Sequence, residues 1–148
     1  MMCVVLIPSE RLLPWSPFEN VVWAGLESPI TEEEVLEAMS NGEFETDPVP
    51  VWDYFSKPAT RETHVRRIAF LAMTSRILEP ISIDVGIPEM GFHVDWIIDD
   101  GNHRLAAFLI GQASHVPAYV MGSSGYAKEL LGVDIEWEED DAQYPSDA

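Results

Sequence analysis

Trp96-Ile97-Ile98-Asp99-Asp100-Gly101-Asn102-His103-Arg104-Leu105-Ala106-Ala107-Phe108 is the stretch on which the reading of this chain turns. Val94 to Ile98 reads as an apolar strand that runs into an acidic pair and a glycine. A helix is expected to open at Asn102 or His103 and to continue through Leu105, Ala106, Phe108, Leu109 and Ile110. A glycine at a strand-to-helix turn permits backbone geometry that other residues resist. The first turn of such a helix presents unpaired N–H groups carrying roughly half a positive charge. Arg104 adds a guanidinium fork on the same turn, so the stretch offers a place for a phosphate group. The same residues also fit a plain turn, with Asn102 as helix cap and Arg104 in a surface ion pair, and spacing alone does not choose between the two.

Outward from this stretch, length and composition set the frame. A chain of 148 residues with 47% apolar and 10% aromatic content is expected to fold as one globular domain with a real core. No apolar run approaches the roughly 20 residues that cross a bilayer. Met1 to Pro8 lacks the basic start of a secretory signal, and one cysteine allows no internal disulfide. These features point to the cytoplasm. Against 8 Lys and Arg stand 26 Asp and Glu, a formal charge of −18, so direct DNA binding is disfavoured. Five of the eight bases, Arg61, Arg66, Arg67, Arg76 and Arg104, fall between residues 61 and 104, around the expected pocket. Arg61 and Arg76 are read as partners of neighbouring carboxylates.

Taken in order, Cys3 to Ile7 is a β-branched run that predicts a buried strand. Pro14 and Pro17, with Trp15 and Phe18, predict a rigid, non-helical connector. Val21 to Ala24 fits either a short strand or an apolar loop. Thr31 with Glu34 forms a capping-box signature, and Val35, Leu36 and Met39 supply the apolar stripe of a helix that Asn41-Gly42 ends. Residues 43–58 read as a loop with a possible short strand at Val49–Trp52. A second helix is expected from Thr60 to about Leu78, with Arg66 and Arg67 off its apolar stripe. Ile81 to Val85 alternates as a half-buried strand does, and Gly86 to Gly91 reads as a hairpin connection to Phe92–Ile98. Val116 to Met121 is a further strand and Tyr126 to Leu131 a short helix. The fold class is therefore α+β, a small mixed sheet with helices packed on it. Residues 1–133 form the domain, and 134–148 an acidic, partly disordered tail.

The segment Asp100-Gly101-Asn102-His103-Arg104-Leu105-Ala106-Ala107, with Gly111 and Val116-Pro117-Ala118-Tyr119-Val120 after it, resembles the core motif of the ParB/sulfiredoxin-like superfamily. Val4 to Pro14 resembles that family's first strand and turn. In the family a D-G-x-H-R-x-x-A turn joins a strand to a helix and binds nucleotide phosphates. The resemblance implies a stand-alone nucleotide-binding core of ParB-like type, with CTP, ATP or ADP at Gly101, Asn102, His103 and Arg104. Asn102 stands where sulfiredoxins carry their catalytic cysteine, and the one cysteine here is Cys3, which argues against sulfinic-acid reduction. Asn102 and His103 also replace a Glu and an Arg of the chromosome-partitioning proteins.

Asp99 and Asp100 lie where a strand ends, a common place for ligand groups in proteins that mix helices and strands. Either could serve as general base for phosphate hydrolysis or transfer, and Asp100 could hold Mg²⁺ on a bound nucleotide. The plainer alternative is that Asp100 caps the helix. His103 could hydrogen-bond a phosphate. His64, His93 and His115 lack the spacing of a zinc site, and the tryptophans read as core rather than as a base-stacking platform. The rival function is a non-enzymatic interaction protein whose acidic surface mimics DNA and occupies a nucleic-acid-binding partner, as some phage-encoded inhibitors do. A DNA-cleaving ParB-like nuclease is a third reading, and the scarcity of Lys and Arg argues against it.

Overall fold

The computed structural model describes residues 3–45, 59–74 and 78–135. Its architecture is α+β, a small mixed sheet with helices on one face. The strands are β1 (Val4–Pro8), β2 (Ile81–Asp84), β3 (Ile98–Asp100) and β4 (His115–Met121), in the spatial order β1-β4-β2-β3. β1 lies antiparallel to β4, β4 parallel to β2, and β2 antiparallel to β3. The parallel pair needs a crossover, and the helix that follows β3 supplies it.

The strand alternation decides which face is covered. Ile7, Val116, Ala118, Val120, Ile81 and Ile83 point to one side and are essentially inaccessible. On the other side the paired residues Val4 with Tyr119 and Leu6 with Pro117 stay partly open, Leu6 at 61% exposure. Directly opposed residues share a face, so one surface of the sheet carries the core and the other does not.

Five α-helices stand among the described residues: α1 (Pro17–Asn20), α2 (Glu32–Ser40), α3 (Arg61–Met73), α4 (Asn102–Ile110) and α5 (Ser124–Leu131). α4 is buried from two sides. Leu105 and Phe108 enter the cluster built on the sheet with Ile81, Ile83 and Val120. Ala106 and Ala107 enter a second cluster with Phe18, Val35, Ile68 and Ala69 from α1, α2 and α3 and with Ile30 just before α2. The alanines leave little side chain on that flank, which lets α3 lie close against α4. The capping box forms as expected, and Glu34 also accepts from Arg61 Nη2 at 2.7 Å, tying α2 to α3. That hydrogen bond holds the Glu34 carboxyl down at about 2. Arg61 is thus a carboxylate partner, whereas Arg76 lies outside the described residues.

Two local expectations need correction, and one open reading is decided. Residues 9–20 are helical rather than a non-helical connector: a 3₁₀ helix spans Ser9–Trp15 and α1 begins at Pro17. A proline's fixed φ suits the first turn of a helix, so Pro17 marks a start instead of a break. Val21–Ala24 is loop, the second of the two readings. Residues 92–97 form no strand beside β2; the Ile97 carbonyl accepts from the Asp84 N–H at 2.9 Å, and the registered pairs run from Ile98 through the acidic pair to Asp100. One reason is that the backbone at Asp95 is engaged elsewhere, its carbonyl accepting from Trp15 Nε1 at 3.1 Å. The expected strand at Val49–Trp52 and residues 136–148 of the acidic tail lie outside the described residues. No helix among the described residues is long and apolar enough to cross a membrane.

The two sheet faces should respond differently to truncation. Ile83→Ala, on the covered face, is expected to cost about 2–4 kcal/mol of unfolding free energy in urea titrations. Leu6→Ala, on the open face, should stay within about 0.5 kcal/mol of the parent.

Candidate functional site

β3 ends at Asp100 and α4 begins at Asn102, so the whole change of direction falls on Gly101, at φ 108°. A Cβ there would lie 2.8 Å from Ile81 Cγ2 and 3.2 Å from Arg104 Nη2. Glycine is required twice, by the left-handed backbone and by the close approach of β2. No side chain caps the start of α4. Asp100 therefore does not act as the helix cap.

The carboxylate of Asp100 instead accepts from Arg104 Nη2 at 2.9 Å. Arg104 Nη1 donates to the Pro80 carbonyl at 2.8 Å, which fastens the turn to the residue before β2. Arg104 is thus only 17% exposed, more buried than a surface ion pair would be, and two of its five N–H donors are committed. Asn102 does not cap either; its Oδ1 accepts from Trp96 Nε1 at 3.2 Å. Asp99 and Asp100 are both exposed.

His103 points elsewhere than a simple phosphate contact would suggest. Its Nε2 lies 2.8 Å from Nδ1 of His64 on α3. The ring centroids are 5.1 Å apart and the planes differ by 10°. Since the centroids lie much further apart than the bonded nitrogens, the two imidazoles meet edge to edge in nearly one plane. The Trp23 indole lies over both, at 4.6 Å from His103 and 5.1 Å from His64. Burial pulls the His103 pKa down to about 3, helped by the neighbouring His64 and Arg67. Burial, and then Arg67, lowers that of His64 as well. Both rings are neutral at pH 7.

These groups surround one cavity of about 640 Å³, within the range of small-ligand pockets. All six residues singled out in the sequence, Asp99 to Arg104, line it. Trp23, His64, Arg67 and Leu71 complete the wall from the opposite side. Sequence reasoning placed Arg67 near the pocket but gave it no role, and it missed His64 and Trp23. A histidine within a buried helical stripe was the available signal for His64; Trp23, on an irregular loop, left none. Among the described residues no group of three or more His, Cys, Asp or Glu could hold a metal ion by itself.

No family model, curated protein or solved structure matches the chain.

Two outcomes test this geometry. Gly101→Ala should lower stability by about 1–3 kcal/mol in denaturant titration, through backbone strain and the clash with Ile81. The second concerns pH. The unfolded chain protonates His103 near 6.5, whereas the folded protein resists until about 3. The stabilising contribution is therefore complete above pH 6.5 and is lost as pH falls from there towards 3. By pH 5 the loss should be on the order of 1–2 kcal/mol. His103→Asn should shrink this limb between pH 6.5 and 5 in urea melts, leaving the part due to His64, while the loss from Glu34, which sets in only below about 4.5, should remain.

Proposed function

We propose that this chain is a nucleotide-binding domain of ParB/sulfiredoxin-like type that holds the phosphates of CTP, ATP or ADP at the start of α4. The observation that carries the reading is the convergence of the Asp99–Arg104 turn, the arginines Arg67 and Arg104 and the Trp23 loop on a single cavity. Uncapped backbone N–H groups of the first helical turn are natural partners for phosphate oxygens. Arg104 is held by Pro80 and Asp100 with its remaining donors available, so it meets an anion already oriented. Arg67 stands across the cavity, 3.7 Å from Glu45, and adds a second positive charge.

The donor set suits Mg²⁺ only in one manner. Asp99 and Asp100 are two carboxylates at one edge of the cavity, and the Asp100 oxygen facing Arg104 is already engaged. Mg²⁺ commonly takes one or two protein carboxylates and completes its shell with phosphate and water oxygens. Asp99 and the free oxygen of Asp100 would hold such an ion against the phosphates, where it would neutralise charge. The lone, partly buried cysteine fits a cytoplasmic protein.

Thermal denaturation with CTP, ATP and ADP, each with Mg²⁺, tests the reading. At a ligand concentration about 100-fold above Kd, stabilisation approaches 2.7 kcal/mol, a rise in Tm of roughly 5–10 °C. Arg67→Ala and Arg104→Lys should each shrink that rise at least by half, whatever they do to the Tm of the free protein. An unchanged Tm for all three nucleotides at millimolar concentration would remove the proposal.

A further inference from the structure

The paired imidazoles are more than the nucleotide-binding reading requires. A buried histidine with a purely structural task has its polar atoms satisfied. Every fully buried polar side-chain atom among the described residues does have a partner. The hydrogen bond of His103 is made through Nε2, to His64. Its second nitrogen, Nδ1, makes no hydrogen bond to a described residue, and His103 is part of the cavity wall. One ring thus presents a titratable nitrogen to the ligand space, while its other nitrogen is wired to a second ring.

Two neutral imidazoles joined in this way share two N–H protons among four nitrogens. One proton sits in the bridge and the other on the outer nitrogen of whichever ring accepts the bridge. Accepting a proton at one outer nitrogen and releasing one from the other exchanges the tautomers and leaves both rings neutral. Burial under Trp23 makes a lasting imidazolium costly, which favours this concerted exchange over storage of charge on either ring.

Resting on the nucleotide-binding reading, we propose that His64 and His103 form a proton relay for phosphoryl transfer, with His103 Nδ1 accepting the proton of the oxygen nucleophile. For water attacking the terminal phosphorus of a bound nucleoside triphosphate, a P–O bond forms to the water oxygen. The bond from that phosphorus to the bridging oxygen breaks, and its electron pair leaves with the diphosphate. The water proton passes to His103 Nδ1, the bridge proton moves from His103 Nε2 to His64 Nδ1, and one proton is released from His64 Nε2. Phosphoryl transition states are loose and the nucleophile's proton leaves late, so a weak base that orients the oxygen is adequate. His103 is the catalytic residue here and His64 a positioning residue that fixes its tautomer. Among the described residues, the charged groups around the pair are Arg67 on α3, paired with Glu45, and Asp99, Asp100 and Arg104 across the cavity.

Steady-state phosphate release from CTP and ATP with Mg²⁺ should be measured beside nucleotide affinity by calorimetry. Wild-type protein is expected to turn over. His103→Asn leaves a polar amide near the Nδ1 position and severs the wire, so kcat should fall about 100-fold or more with Kd changed less than threefold. His64→Asn keeps an amide where Nδ1 stands, and should lower kcat at least tenfold, leave KM unchanged and alter the pH profile of kcat. Added imidazole should restore part of the activity of His103→Ala, which a merely structural role would not allow. Long-range ¹H–¹⁵N spectra of the wild-type protein give a readout independent of any variant's folding. Two neutral rings are expected at pH 7, with the His103 Nδ1 signal shifting when a non-hydrolysable triphosphate binds. Nucleotide binding without turnover, turnover that survives His103→Asn, or an imidazolium at pH 7 would overturn the relay and leave the binding reading intact. Absence of any nucleotide binding would overturn both.

Discussion

The burial of α4 between the sheet and the helical layer is the constraint on which the other features depend. Leu105, Ala106, Ala107 and Phe108 are four successive residues with almost no exposure, a pattern no helix on a protein surface can show. Leucine and phenylalanine reach towards the strands, and the alanines accept α3 on the opposite flank. A helix gripped on both sides cannot rotate or slide without losing contacts in both clusters. Its first turn, and the glycine that aims it, are therefore fixed in space by packing far from the cavity.

That rigidity accounts for how the site is divided. The sheet side supplies the turn, the two aspartates and Arg104, the arginine bonded to Asp100 and to Pro80 just before β2. The helical layer supplies His64 and Arg67, three residues apart on α3 and so on one face of that helix. The cavity exists where these two layers part beyond the start of α4, and the Trp23 loop overlies the seam. Histidine pairing across the seam, from α3 to α4, joins the layers with a polar contact in addition to the apolar ones.

Much of this was legible in the sequence, for definable reasons. The α+β class, the capping box at Thr31 and the strand-glycine-helix turn at 98–104 rest on local rules, with apolar periodicity, cap chemistry and glycine all pointing the same way. Residues 9–20 were misread because prolines at 14 and 17 break helices in the middle but begin them well at the start. Residues 92–97 alternate convincingly, yet a ladder also needs a partner with free backbone groups, and Trp15 engages this segment from 80 residues away. The six turn residues were found because they are contiguous. Trp23 and His64 were not, since they join the site only through the docking of α3 and of the loop between α1 and α2, a long-range event that no window of sequence encodes. His103 was seen as a polar group at a helix start; that its partner is another imidazole follows from the same docking.

The strand order carries a consequence for how the molecule is made. β1, at residues 4–8, has its neighbour at 115–119, and the parallel partner of β2 is that same strand. Until β4 has left the ribosome, neither β1 nor the inner edge of β2 has anything to pair with in the completed arrangement. The βα turn, the arginine and both histidines are synthesised before that moment, but the platform that immobilises them is not. Vectorial synthesis therefore delivers the ingredients of the pocket early and its rigidity late, in one closing step whose contacts span most of the chain. Such non-local closure slows folding, and it makes the short segment from His115 to Met121 the piece whose arrival turns a loose collection of helices into a finished molecule.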